Sequence, residues 1–599
     1  MQPEGNRIAV PPGTTAMAAV LQAGTPLEGP CGGRGQCGKC RVRVLAGRAA
    51  PSDDDRRQFS AEELEDGWRL ACGLRLQEDT VIEIPSASLL AAPQIMVSGE
   101  EAPVAFDPYL TKHYCELSSP RLDDDRADLA RLLDALPAGA TCRDLSALQD
   151  LPSLLRDADF HVTATLAGEE VIDLEPGDTS ESLYGIAYDL GTTTVVGYLV
   201  NLVNGEQVAV ASQMNAQTVY GEDVISRIEF AQETPDGRAL LRERIVGVMN
   251  EILFVAAGDA GIDAAQVREA TVVGNTCMTH LFLGIDPAFL AQAPYVPAVT
   301  AAQDLAAGEL GLALHPRGRV HVLPNIAGFV GADTVGVMLA SRIADLPGAR
   351  LAVDIGTNGE VVGYRDGRLV VCSTAAGPAW EGARIGRGMR AAPGAIDRVT
   401  IDDDVRVTTV GGQPARGICG SGLLDAIAEM RRANLVDETG RLRSPAEAAG
   451  LPPALARRLV SGPDGPEFLL TEDPAVALTQ RDLREAQLAK AAIATGIRLV
   501  MRALGVTPEQ LDEVLLAGAF GSYLQPESAV AIGLLPALPR ERLRAIGNAA
   551  GAGARLALLS RGARRRAAQL ATSAEHLQLA HDPSFQDHFV DALALAPQA

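Results

Sequence analysis

Apolar and polar positions follow three successive regimes along the chain. At the N-terminus the apolar runs are short. RIAV (7–10) reads as a strand, and PPGTT (11–15) as a turn in which Thr14 or Thr15 caps a helix to about Ala23. RVRVL (41–45) alternates as a strand does, and VIEIP (81–85) is a strand stopped by its proline. These predict a small sheet with one helix, closing near residue 86. SASLLAAPQ then reads as a linker, DDDRADLARLLDAL (123–136) as an amphipathic helix, and FHVTATL (160–166) and EEVIDL (169–174) as paired strands. From Tyr184 the pattern changes again. GIAYDLGTTTVVGYLVN (185–201) predicts strand, glycine turn, strand, and LAVDIGTNGEVVGY (351–364) repeats the theme. A repeat at this distance predicts two related lobes. Long helical segments separate the sheets: DVISRIEFAQ, GRALLRERIVGVMNEILFVAA and RDLREAQLAKAAIATGIRLVMRAL.

Composition narrows the function. A chain of 599 residues predicts two to four domains, and 47% hydrophobic content predicts packed cores. The formal charge of -24 argues against nucleic-acid binding, which needs cations facing phosphates. No apolar run has membrane-spanning length, and MQPEGNRIAV lacks the regions of a signal peptide. The expectation is a cytoplasmic protein without membrane or nucleic-acid partners.

Four of the 9 cysteines fall in the first 72 residues, as PCGGRGQCGKC and then ACG. Cys31, Cys37, Cys40 and Cys72 are spaced C-x5-C-x2-C-x31-C. Soft thiolates are the ligands an iron–sulfur cluster needs, and Gly32, Gly33, Gly35 and Gly38 let one loop wrap it with N–H groups aimed inward. The competing reading is zinc or inert thiols. Zinc sites pair cysteines as two short knuckles, whereas three clustered ligands and one distant favour a cluster. GRGQCGKC (33–40) imitates a P-loop, but cysteine replaces the Mg²⁺-binding hydroxyl and no strand and helix flank it. This segment, about 5–86, resembles the [2Fe–2S] ferredoxins of β-grasp fold, closer in its x5 spacing to the vertebrate type. Only the second strand of that family's opening hairpin, RIAV, is evident.

DLGTTT (189–194) and DIGTNGE (354–360) carry the second chemistry. A glycine turn brings N–H groups to phosphate, threonines add donors, and aspartate holds Mg²⁺ through water or orients the attacking water. One such turn reads equally as a plain hairpin. Two in register predict a grip from both sides. PNIAGFVGADTVGVMLAS (324–341), VLLAGAFGSYL (514–524) and GNAAGAGARLALL (547–559) follow in order. Together these resemble the phosphate-1, connect-1, phosphate-2, adenosine and connect-2 motifs of the acetate and sugar kinase, heat-shock chaperone and actin (ASKHA) superfamily. The resemblance implies that Asp189, Gly191, Thr192 and Thr193 meet phosphate from one lobe, and Asp354, Gly356, Thr357 and Asn358 from the other, with Glu360 nearby. It makes Asp333 a candidate water-orienting acid, and Gly518 and Gly521 the approach to adenosine. Glu485, Gln487 and Lys490 are candidates for the nucleoside pocket, with a solvated helix face as the alternative for Lys490. In GICGSGLLDAI (417–427), Ser421 either caps a helix or contacts a ligand. His280 reads as a structural histidine.

The whole order resembles the reductive activators of corrinoid proteins. The resemblance implies an α+β and α/β multidomain fold: a β-grasp ferredoxin domain (1–86), a linker (87–102), a small αβ middle domain (103–182) and a two-lobed ATPase domain (183–599). It implies one [2Fe–2S] cluster, ATP with Mg²⁺, a low-potential electron donor and a homodimer through the middle domain. The implied task is to return a partner's Co(II) corrinoid to Co(I). Alternatives are a nucleotide-gated, redox-sensing binding module that reduces nothing, and a small-molecule kinase with a redox switch.

Overall fold

The computed structural model describes residues 1–2, 5–23, 25, 27, 33, 35, 38–85, 88, 97–99, 104–473 and 475–598. Cys31, Cys37 and most of the expected linker 87–102 lie outside the described residues.

The first unit is a three-stranded antiparallel sheet in which Arg41–Ala46 lies between Trp68–Leu70 and Val81–Glu83. The helix Ala16–Gln22 packs Ala16 and Val20 against Val42, Leu70 and Ile82. Thr15 starts it, its hydroxyl accepting from the Ala18 N–H at 3.2 Å. RIAV is not a strand. Residues 7–10 carry no ladder, and Gln2 instead bridges to Glu83. The one-helix expectation also fails, because Asp53–Gln58 and Ala61–Glu65 are helical. Ser52 and Ser60 each close a capping box there with Asp55 and Glu63, so local polar pairing makes helix where apolar periodicity is weak.

In the second unit, His161–Ala167 pairs antiparallel with Glu170–Pro176, as predicted, and Leu110–Glu116 completes the sheet on the other edge. The expected helix is Asp128–Ala135, and a second, Leu145–Asp157, packs Leu151 and Leu155 beneath the sheet.

The remaining chain forms two six-stranded sheets that share a five-strand topology and carry their sixth strand on opposite edges, with two smaller three-stranded sheets beside them. In the first the order is Gln303–Ala306, Arg319–Val322, Val267–Gly274, Tyr184–Leu190, Thr194–Asn201, Gln207–Met214. In the second it is Leu543–Gly547, Leu511–Ala517, Ala349–Ile355, Gly359–Arg365, Arg368–Thr374, Glu575–His576. Each repeat strand pairs antiparallel with the strand after its glycine turn and parallel with a later strand on its other side. The internal repeat is therefore a repeat of topology. Helices Gly237–Ala260 and Gln480–Leu504 cover the sheets.

Between the lobes the helices Ala332–Ser341 and Ala549–Leu559 cross backbone to backbone. A Cβ on Gly553 would lie 2.2 Å from the Gly336 carbonyl oxygen, and one on Gly336 would lie 2.7 Å from that of Ala550. Only glycine permits this approach, and it brings the starts of both helices to the floor of one cleft.

Candidate nucleotide cleft and cluster loop

In the cluster loop, Gly33, Gly35 and Gly38 all have positive φ, the conformation that glycine adopts without strain. Cys40 enters the strand Arg41–Ala46, and its carbonyl accepts the Ala71 N–H at 2.8 Å, which sets Cys40 beside Cys72. The loop folds back on the fourth cysteine, since a Cβ on Gly33 would lie 4.0 Å from the Cys72 Cβ. Two cysteines at one small core under a glycine-turned loop fit a cluster. Lys39, in the same loop, donates from Nζ to the Gly388 carbonyl at 3.2 Å, next to Met389 of the cleft wall.

The cleft between the lobes holds a cavity of about 310 Å³. Both glycine turns line it: Asp189, Gly191, Thr192 and Thr193 on one side, and Asp354, Gly356, Thr357, Asn358 and Glu360 on the other. Asp333 and Gly518 also line it. The first turn is held from behind. Asn275 Nδ2 donates to Thr192 Oγ1 at 2.9 Å, and Asn215 Nδ2 to the Gly191 carbonyl at 2.9 Å. Arg227, fully buried, donates to the carbonyls of Thr192 and Gly221 and to Gln217 Oε1. In the second turn the Gly356 N–H donates to the Asn358 carbonyl at 2.9 Å. Gly518 has φ +78°, and a Cβ there would lie 2.5 Å from Asp354 Oδ1. Glu381 joins the turns, accepting from Thr193 Oγ1 at 3.1 Å and from Thr357 Oγ1.

Four carboxyls share the cleft floor. Burial pushes the Asp189 carboxyl up to about 7; an Asn548 hydrogen bond opposes this, and the charge of Asp333 adds to it. Asp354 is likewise raised to about 7 by burial and by Asp333 and Asp189, and burial raises Asp333 to about 6. Glu360 is raised well above its ordinary value by burial and by Asp333 and Asp354. Carboxyls crowded this way favour a cation entering among them. Among the described residues no three His, Cys, Asp or Glu side chains form a ready metal-ligand set. Mg²⁺ there would take further ligands from phosphate and water, as it commonly does.

Several expectations need correction. Gln487 and Lys490 do not line the cleft. Both are buried and tie down the C-terminal segment, Gln487 donating to the Leu593 carbonyl at 2.8 Å and Lys490 to those of Ala592 and Ala594. Their helix turns this face toward the tail, and burial lowers the Lys490 amine to about 8. Glu485 is also absent from the cleft lining. Gly521 faces the Leu516 backbone within its own strand-to-helix turn. Ser421 is not the cap of helix Gly420–Arg432; Cys419 holds that position, and Ser421 lines the cavity. His280 is structural as expected: Nδ1 pairs with the Thr276 carbonyl, and Nε2 accepts the Ala298 N–H. Sequence reasoning assigned no role to Asn275, Asn548, Arg227, Glu381 or Arg390. Asn275 and Asn548 each precede a helix, a capping signal, and both do cap. The other three carry no local signature.

Four family descriptions match the chain in order: a 2Fe-2S iron-sulfur cluster binding domain (1–77), the RACo linker region (99–181), the RACo middle region (184–345) and the C-terminal ASKHA domain of RACo (348–599). The chain is 34% identical over 582 residues to "Corrinoid activation enzyme RamQ" of Eubacterium limosum, covering 95% of this chain and 94% of that one. It is 28% identical over 436 residues to "[Co(II) methylated amine-specific corrinoid protein] reductase" of Methanosarcina barkeri, covering 69% and 77%. A solved structure titled "Reductive activator for corrinoid,iron-sulfur protein" superposes with TM-score 0.75 at 36% identity, covering 100% of this chain and 98% of that one. With a cluster loop, a nucleotide cleft and full-length similarity in one order, this chain belongs to the family of reductive activators of corrinoid proteins.

Proposed function

We propose that this protein is an ATP-dependent reductive activator that passes one electron to the inactive Co(II) state of a partner corrinoid protein, restoring Co(I) for methyl transfer. The observation that carries the reading is the joining, in one chain similar end to end to corrinoid activators, of a cysteine loop and an acidic cleft with two phosphate turns.

Cys31, Cys37, Cys40 and Cys72 would hold a [2Fe–2S] cluster, which supplies a one-electron carrier of low potential. In the cleft, Gly191, Thr192 and Thr193, with Gly356, Thr357 and Asn358, bind phosphate by N–H and hydroxyl donation. Asp189, Asp354 and Glu360 would hold Mg²⁺, which would neutralise phosphate charge, and Asp333 would orient the attacking water. Gly518 keeps the backbone open beside Asp354. Closing the lobes on ATP and reopening them on ADP would change how the protein holds its partner, and so make electron delivery conditional. Chain organisation follows the same reading: 1–86 for the cluster, 87–102 as linker, 103–182 as the surface of a homodimer, and 183–599 as the ATPase. A low-potential donor reduces the cluster. Light scattering of the full chain tests the dimer.

The decisive experiment uses anaerobic protein, prereduced and mixed with a Co(II) corrinoid protein, with and without Mg-ATP. The Co(I) absorption band should appear in an ATP-dependent manner and be lost in Cys37→Ser and Asp354→Ala. A normal cluster spectrum with ATPase activity but no Co(I) from any of several corrinoid partners would overturn this reading in favour of a redox-sensing binding module.

A further inference from the structure

Glu381 ends the short turn Pro378–Glu381, between Gly377 and Gly382, both at positive φ. The turn is braced from behind: a Cβ on Gly382 would lie 2.5 Å from the Met389 carbonyl oxygen, and the Trp380 ring stacks on Phe520 with centroids 5.4 Å apart. Glu381 is thus presented to the cleft on a supported backbone. Its two oxygens divide between the lobes, one on the Thr193 hydroxyl and one on that of Thr357. These hydroxyls belong to the two glycine turns that face each other across the cavity.

Each hydroxyl has one proton to donate. A phosphate oxygen and a carboxylate oxygen are both anionic acceptors, so they compete for it and repel one another at that distance. The surroundings do little to neutralise the pair. Among the residues lining the cavity, Asp189, Asp333, Asp354 and Glu360 are acidic, and Arg390 is the one basic side chain, with Nη1 donating to the Met214 sulfur at 3.5 Å.

We propose that Glu381 is a built-in competitor of the nucleotide's phosphates. It ties the two lobes together through Thr193 and Thr357, and a polyphosphate binds by displacing it from both. The proposal rests on the nucleotide-site reading above and adds to it the residue that sets the affinity. It assigns Glu381 a role opposite to that of an ordinary binding residue, because removing it should strengthen binding.

The test is calorimetric titration of the full chain, cluster in place, with Mg-ATP, Mg-ADP and adenosine. Glu381→Ala should bind Mg-ATP and Mg-ADP about tenfold more tightly than the parent, the size of one charge-assisted hydrogen bond no longer broken on entry. Glu381→Gln, nearly isosteric and uncharged, should show a smaller gain of the same sign. Adenosine, which has no phosphate, should bind all three alike. Weaker or unchanged Mg-ATP binding in Glu381→Gln overturns the proposal, as does an equal gain for adenosine, which would mean a merely loosened cleft. If Glu381→Ala does not fold, Glu381→Gln decides. Parent protein that binds Mg-ATP but yields no Co(I) counts against the function and leaves this result standing. Co(I) formation without the affinity gain counts against Glu381 alone.

Discussion

Asp189, Asp333 and Asp354 show how a motif becomes an electrostatic device. Each lines the cleft, and burial lifts their carboxyls from an ordinary 3.8 to about 7, 6 and 7, with the charge of Asp333 adding to the rise at Asp189 and Asp354. A carboxyl whose folded pKa exceeds its unfolded one binds its proton more tightly in the fold. The stability it contributes is complete below the unfolded value and is lost as pH rises through the folded values. The melting temperature of the protein in chelator should therefore fall, on the order of 5 °C, between about pH 5 and about pH 8. Mg-ATP should restore more of it at the higher pH. A midpoint flat across that range would contradict this account of the floor.

Arg227 works at the same scale. Its guanidinium satisfies three oxygens behind the first phosphate turn from a fully buried position. Arg227→Met leaves those acceptors without their donor, and a loss of about 3 kcal/mol or more is expected in urea unfolding, with weaker nucleotide binding. No spacing rule marks this residue. It lies 35 positions from the turn it supports, and only the fold brings them together.

At the scale of elements, local signals were largely legible. The two strand–turn–strand units were visible because apolar alternation and a glycine turn are properties of adjacent residues. The strand read at 7–10 was not realised, because a four-residue segment with three apolar positions does not by itself supply a ladder partner. The helices at Asp53–Gln58 and Ala61–Glu65 were missed because capping boxes, not periodicity, define them. The interlobe helices give a sharp test. Gly553→Val would push side-chain carbon into the Gly336 backbone, which cannot retreat without moving the lobes. Urea midpoints should show at least the ~1–3 kcal/mol of an overpacked core, and ATPase activity should fall with them. Unchanged stability would mean that the crossing is looser than described.

Across the whole molecule, the cluster unit and the cleft have separate cores among the described residues, and Lys39 reaches from one to the Gly388 carbonyl of the other. Cys72→Ser should therefore abolish the visible cluster spectrum and Co(I) formation while leaving Mg-ATP affinity within about threefold of the parent. Loss of both would make the two units one cooperative structure.

The sequence by itself determined the two chemistries, their order and the residues of both glycine turns, because thiol spacing and turn geometry are written in neighbouring positions. It also carried the topological repeat of the lobes. The tertiary structure alone decided what surrounds those turns. It sent Gln487 and Lys490 to the C-terminal tail, although a helix of the right composition passes near the cleft. It brought Asn548 to Asp189 across 359 positions, and Glu381 to Thr193 across 188. The physical reason is range. A turn is fixed by dihedral angles and hydrogen bonds a few residues apart, whereas the partners of a buried charge are whichever groups the packed lobes place beside it.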